Sequence, residues 1–286
     1  MNVKFHGIYL GENMYKDLYS VCWNITGKCN ENCLFCYRTI ENELSFDDNK
    51  RIANVLINEN IKKITIAGGE PLLYEYLFDI AKYIKNRNSN IFLSITTNGL
   101  LVEGDSIEKI LKYFDSITLS IDGDNENIHQ ELGRGKVHFK KNIWLLAQLD
   151  GKIRIKVNSV ITSNNLYSII GLKSIFEKYK IKRWKIMRFY PVSFMAKENK
   201  QFYTISDEQF DSLKNVLVSD SKMVIQFNDY NEFENSYLNI FPNGNMSDNR
   251  GAIVGNILND GFNQCIQKCN ISQHYIRKAA NKGFSY

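Results

Sequence analysis

No run of about 18 apolar residues occurs in this 286-residue chain, and its first twenty positions mix charge with polarity. Neither a membrane-spanning helix nor a secretory signal is therefore legible, and a cytoplasmic location is expected. Cysteine is scarce, six residues in all, too few for a disulfide scaffold. A net charge of only +5 argues against a nucleic-acid coat but is compatible with an anionic small substrate. The four histidines, His6, His129, His138 and His274, show no spacing that demands a role, and the chain has no low-complexity linker or strong repeat. What is present is 44% hydrophobic content, enough to bury a large core as one α/β barrel or as two ordinary domains.

Short β-branched runs alternate with helical periodicity along most of the chain. Strands are expected at 21–26, 63–67, 91–97, 116–122, 153–161 and 183–189, followed in turn by helices at 46–59, 72–86, 106–113, 139–149, 166–179 and 207–218. Six β-α units in a row point to a parallel sheet. Their even spacing, with chemistry-bearing residues at the strand C-terminal ends, suits a barrel better than an open doubly wound sheet. After residue 220 the rhythm breaks into two strand-like runs, 223–227 and 236–241. The expected organisation is thus an α/β fold: a partial (β/α)6 barrel of TIM type over 1–220, and a C-terminal extension over 221–286 that closes it and contributes to the substrate site.

Three of the cysteines, Cys29, Cys33 and Cys36, fall in a CxxxCxxC array in the loop after the first strand. Three thiolates leave one iron of a cubane open to a small chelating ligand. Zinc is the alternative, but it usually takes four ligands, and the nearest later cysteine is Cys265. Gly68-Gly69-Glu70-Pro71 closes the second strand, where two glycines would let backbone carbonyls approach an ammonium group. Thr97-Asn98 closes the third strand and Ser120-Ile121-Asp122 the fourth, placing polar side chains at the barrel mouth. In these motifs, with Phe35 before the last cysteine, the chain resembles the radical SAM superfamily. The resemblance implies a 4Fe–4S cluster on Cys29, Cys33 and Cys36. It also implies S-adenosylmethionine held by Phe35, Gly68, Gly69, Glu70, Pro71, Thr97, Asn98, Ser120, Asp122 and Arg134, with the Arg134 guanidinium facing the methionyl carboxylate. Cys265 and Cys269, a CxxxC pair on an expected helix, are too few for a second cubane and read as free thiols.

Along the fifth strand, Arg154-Ile155-Lys156-Val157-Asn158 alternates polar with apolar, unlike a strand buried on both faces. Lys156 and Asn158 share one face there, as Arg183 and Lys185 do on the next strand. Cations inside a barrel need an anion to offset their desolvation, and polyphosphate fits that need. The runs 132–135, 156–161, 183–185 and 236–238 resemble, in order and spacing, those of the viperin family. That resemblance implies conversion of a nucleoside triphosphate (CTP, UTP or GTP) to its chain-terminating 3′-deoxy-3′,4′-didehydro analogue. Lys63, Lys156, Asn158, Arg183 and Lys185 would hold the substrate, with Tyr237 near the sugar. Arg250 is the nearest basic residue to a lysine the family places after that tyrosine; Tyr237 and Arg250 are the candidates for proton delivery. Cys22 stands where animal viperins have asparagine. An electron donor such as flavodoxin or ferredoxin is implied, with no nucleic-acid or membrane partner and a monomeric state. Two other readings stay open: a radical SAM enzyme modifying a peptide or RNA, and a non-catalytic iron–sulfur binding protein.

Overall fold

A computed structural model describes residues 20–191, 193–218, 223–230, 238–248 and 251–269. The strands of its β-α series are β1 (Ser20–Thr26), β2 (Lys63–Gly68), β3 (Phe92–Thr97), β4 (Ser116–Ser120), β5 (Arg154–Ile161), β6 (Ile181–Arg188) and β7 (Ile225–Asn228). Between them lie α1 (Phe46–Asn58), α2 (Leu77–Arg87), α3 (Asp105–Tyr113), α4 (Glu126–Glu131), α5 (His138–Leu149), α6 (Leu166–Phe176), α7 (Phe194–Glu198), α8 (Lys200–Tyr203) and α9 (Asp207–Val218). Three short strands follow, β8 (Asn239–Ile240), β9 (Asn245–Ser247) and β10 (Ile253–Asn256), and then α10 (Phe262–Lys268).

All ten strands of the described residues join one sheet, ordered β10-β9-β8-β1-β2-β3-β4-β5-β6-β7. From β1 to β7 the pairing is parallel and follows chain order. A doubly wound sheet reverses its order at a switch point; this one does not, so right-handed crossovers place the helices on one face and leave the other as a lumen. Because β10 and β7 stand at opposite ends of the ladder, the barrel is partial.

Burial along β5 shows the two faces directly: Ile155, Val157, Ser159 and Ile161 are buried, while Arg154, Lys156, Asn158 and Val160 remain partly open. Behind the sheet, α1 starts where the Ser45 side chain accepts from Asp48 N, and it buries Ile52, Ala53 and Leu56. On α2 the buried set is Leu77, Ile80, Ala81 and Ile84, one face of a helix. Each buried Leu or Ile among them contributes about 1.5–3 kcal/mol. Trp184 of β6 is fully buried, its ring edge-on to Phe176 of α6 at 5.0 Å, and its Nε1 donates to Ser159 Oγ at 2.9 Å.

The structure departs from the sequence expectations at one place that bears on function. Residues 71–73 form a 3-10 turn rather than the first turn of α2, because the Glu70 side chain caps Leu72 N. The run at 223–227 enters the barrel sheet as β7, beside β6, and the described part of the run at 236–241 is β8, parallel to β1. Among the described residues no helix is long and apolar enough to cross a membrane.

Candidate active site

Parallel strands bring their C-terminal ends to one face, where the loops after β1, β2, β3 and β4 meet. The β1 loop carries Cys29, Cys33 and Cys36, and the β2 turn grips its start: Gly69 N donates to Thr26 O at 2.7 Å and Glu70 N to Lys28 O at 2.8 Å. A Cβ on Gly69 would stand 2.1 Å from the Lys28 carbonyl oxygen, and one on Gly68 (φ +147°) 2.4 Å from that of Thr26. The glycine pair therefore makes room for the backbone of the cysteine loop itself, a close approach the motif alone assigned to a cofactor ammonium. The buried Glu70 carboxylate accepts from Thr97 Oγ1 and Asn98 N, both at 2.8 Å, tying β2 to β3; burial pushes its pKa up to about 7. Asn98 reaches back, its Nδ2 donating to Asn30 Oδ1 at 2.7 Å and lying 3.9 Å from Cys29 Sγ.

A second set of bonds holds the far side of the loop. Asn32 N and Leu34 N donate to Gly133 O and Leu132 O at 3.3 and 3.1 Å. Glu31 accepts from Gly135 N at 2.8 Å and from Arg134 Nη1 at 2.9 Å. Arg134 Nε donates to Asp122 Oδ2 at 2.6 Å, and Asp122 Oδ1 accepts from Val160 N at 2.7 Å. Burial opposes the Arg134 charge, but Asp122, Cys33 and Glu31 outweigh it and raise its pKa. The guanidinium carbon lies 5.5 Å from the Phe35 ring centroid. Beside this clamp, His129 and His138 share a 2.7 Å Nδ1 contact, and burial lowers the pKa of both.

Cys33 is pushed up to about 12 by burial, and Cys29 is raised by the same cause. Metal ligation would displace those protons. Among the described residues no three His, Cys, Asp or Glu side chains converge as they would on a single ion. A cubane has a different requirement, one thiolate on each of three irons, and three cysteines distributed along one loop supply that donor set.

Below this face the lumen is polar and cationic. Across β5 and β6, Lys156 pairs with Arg183 and Asn158 with Lys185. Arg183 Nη1 donates to Gln226 Oε1 of β7 at 3.1 Å, while its buried Nε meets no acceptor among the described residues. Lys185 is only 3% exposed. Lys156 Nζ lies 3.5 Å from Ser116 Oγ, and burial together with Lys63, Arg183 and Arg154 pushes its pKa down to about 6. Cys22 stands near Lys185 and Lys63; burial, against their pull, pushes it up to about 11.

The expected cofactor residues Phe35, Gly68, Gly69, Glu70, Pro71, Thr97, Asn98, Ser120, Asp122 and Arg134 thus surround the cysteine loop or end the strands beside it, with Asp122 and Arg134 engaged to each other. Lys63, Lys156, Asn158, Arg183 and Lys185 fall on strands lining the lumen. Tyr237 and Arg250 lie outside the described residues. Sequence reasoning missed Glu31 and Asn142, whose Nδ2 donates to Asn98 O at 2.8 Å. An acid between two cysteines was a signal for a distant cation. Arg154 was missed too, although the alternation that singled out Lys156 includes it.

The radical SAM superfamily model matches residues 23–164. The chain is 30% identical to a probable GTP 3′,8-cyclase of Methanococcus aeolicus, over 74% of this chain and 71% of that protein. It is 26% identical to an S-adenosylmethionine-dependent nucleotide dehydratase of Lacinutrix mariniflava, over 97% of this chain but only 60% of that longer protein. The solved structure of native anSMEcpe with bound AdoMet superposes with a TM-score of 0.66 over 91% of this chain and 83% of that one, at 16% identity, which shows a shared fold. The chain belongs to the radical SAM superfamily, whose chemistry uses a 4Fe–4S cluster and S-adenosylmethionine. Within that superfamily it is viperin-like, similar to the S-adenosylmethionine-dependent nucleotide dehydratases.

Proposed function

We propose that this protein converts a nucleoside triphosphate, CTP, UTP or GTP, to its 3′-deoxy-3′,4′-didehydro analogue, a chain-terminating antiviral nucleotide made in the cytoplasm by a monomeric enzyme. The observation that carries the reading is the paired register of Lys156 with Arg183 and Asn158 with Lys185, inside the barrel whose mouth carries the three cysteines. Cys29, Cys33 and Cys36 hold the cluster, and Phe35, the Gly68–Pro71 turn, Thr97, Asn98 and Ser120 line the cofactor, with Asp122 and Arg134 completing that wall. When bound, cluster and S-adenosylmethionine, fed by a reductant such as flavodoxin or ferredoxin, supply a 5′-deoxyadenosyl radical. The cations of the lumen and Asn158 hold the triphosphate and so fix ribose C4′ toward the mouth, and the barrel wall excludes water. In the substrate, the C4′ hydrogen atom and the 3′-hydroxyl leave; one electron and one proton enter, and the hydroxyl departs as water. Hydroxide is a poor leaving group, so a proton donor is required, and Tyr237 or Arg250 fills that role. The C-terminal extension, 221–286, contributes these residues.

Reduced, cluster-loaded protein incubated with S-adenosylmethionine and a panel of nucleotides, peptides and RNA tests the reading. Release of 5′-deoxyadenosine should be fastest with a triphosphate, and deuterium at C4′ should pass into it. Release only with a peptide or RNA, no release at all, or product forming while the label stays on the nucleotide would each overturn it.

A further inference from the structure

The inward face of β5 carries one more cation than the substrate assignment uses. Arg154 lies two residues before Lys156, so it shares the inward face but stands nearer the strand N-terminus, away from the cysteine loop. Register sets Lys63 beside Phe92 on β3, and Arg154 beside Ser116 on β4. As a result three basic heads gather on one ring: Arg154 Cζ at 5.6 Å, Lys156 Nζ at 5.3 Å and Lys63 Nζ at 5.8 Å from the Phe92 centroid. A cation–π contact offsets only part of the burial and mutual repulsion that push Lys156 toward its neutral form, and an arriving anion restores its charge. Arg154 also lines a cleft at this end of the barrel with Lys152, Lys180 and Lys182, so the positive field continues past it. A polyanion lying along β5 from Asn158 downward would therefore place its far end against Arg154 and the Phe92 ring.

We propose that Arg154 and Phe92 form a terminal-phosphate subsite that makes the lumen selective for triphosphates over diphosphates. The proposal rests on the nucleotide reading above and adds to it the residues that count phosphates. Phe92 supplies the face on which the cations are gathered, and Arg154 supplies a planar donor fork for the last phosphate.

Calorimetric affinities for tripolyphosphate against pyrophosphate, and for CTP against CDP, test it on the wild-type protein and on Arg154→Gln, Arg154→Lys and Lys185→Ala. The wild type should favour the longer anion of each pair by roughly tenfold or more, the scale of one charged hydrogen-bonding group. Arg154→Gln should bring the ratio close to one by weakening the longer anion, and Arg154→Lys should restore part of it. Retained pyrophosphate binding shows that the Gln variant is folded. If Arg154→Gln weakens both members of each pair alike, or neither, the subsite is refuted. Lys185→Ala separates the two levels of argument. If it weakens all four ligands while Arg154→Gln leaves the ratio intact, only the subsite falls; if it changes none of them, the lumen is not the anion site and the underlying reading falls with it.

Discussion

Replacing Lys156 with Met should make the protein more stable while weakening its hold on nucleotide. Burial and the charges of Lys63, Arg183 and Arg154 lower this lysine from 10.5 to about 6. Above about pH 10.5 it is neutral in the folded and unfolded chains alike, and the penalty vanishes. As pH falls, the unfolded chain takes a proton that the folded chain refuses, so stability drops by about 1.4 kcal/mol per unit. The loss levels off near pH 6, where the folded lysine is protonated as well. At pH 7 the full penalty would be about 5 kcal/mol. Water at a partly open site screens it to about 2–3 kcal/mol. Met keeps an unbranched apolar stem in the same space, so at pH 7 the urea midpoint should rise by about 1 M. By pH 10 the gain should shrink below about 1 kcal/mol. Urea titration of the cluster-loaded proteins under argon, followed by tryptophan fluorescence at several pH values, makes the comparison. Equal midpoints at pH 7, or a gap that widens as pH rises, would refute the reasoning.

Anaerobic reconstitution should give about four irons per chain, lost when Cys29, Cys33 or Cys36 becomes alanine and kept in Cys265→Ala; equal loss from the last would point to a second cluster. Gly69→Ala drives a methyl group to 2.1 Å from the Lys28 carbonyl oxygen. Iron content should fall in that variant, with stability reduced by about 2–3 kcal/mol, and unchanged iron would show that the turn does not hold the cysteine loop. Lys185→Ala and Arg183→Ala should each raise the apparent KM for the triphosphate, by the equivalent of about 1–3 kcal/mol, and uncouple cofactor cleavage from product. Steady-state kinetics with both products quantified checks this, and an unaltered KM in both variants contradicts the triphosphate assignment.

The β-α rhythm is legible in the sequence because each parallel strand is a short run of β-branched residues set off from a longer helical pattern. The cationic lumen is legible for a related reason: Arg154 to Asn158 alternates where a strand packed on both faces would not. Pairing at a distance is what no local pattern shows. Glu31 meets Arg134 from 103 positions away, and Asn142 reaches the Asn98 carbonyl across 44. Gly68-Gly69 announces a close approach without naming what approaches, and here it is the backbone of Thr26 and Lys28. Helix α4, six residues long, and strand β9, three residues long, fall below the lengths at which their periods can be recognised.

Between β1 and α1 the cysteine loop contains neither helix nor strand, yet protein groups hold it on both sides, through the Gly69–Glu70 turn and through Leu132–Gly135. Fixing a residue's backbone costs about 1–2 kcal/mol. For the eight residues from Cys29 to Cys36 that is on the order of 10 kcal/mol. Folding itself meets this entropy, so little of it remains to oppose insertion of a cluster.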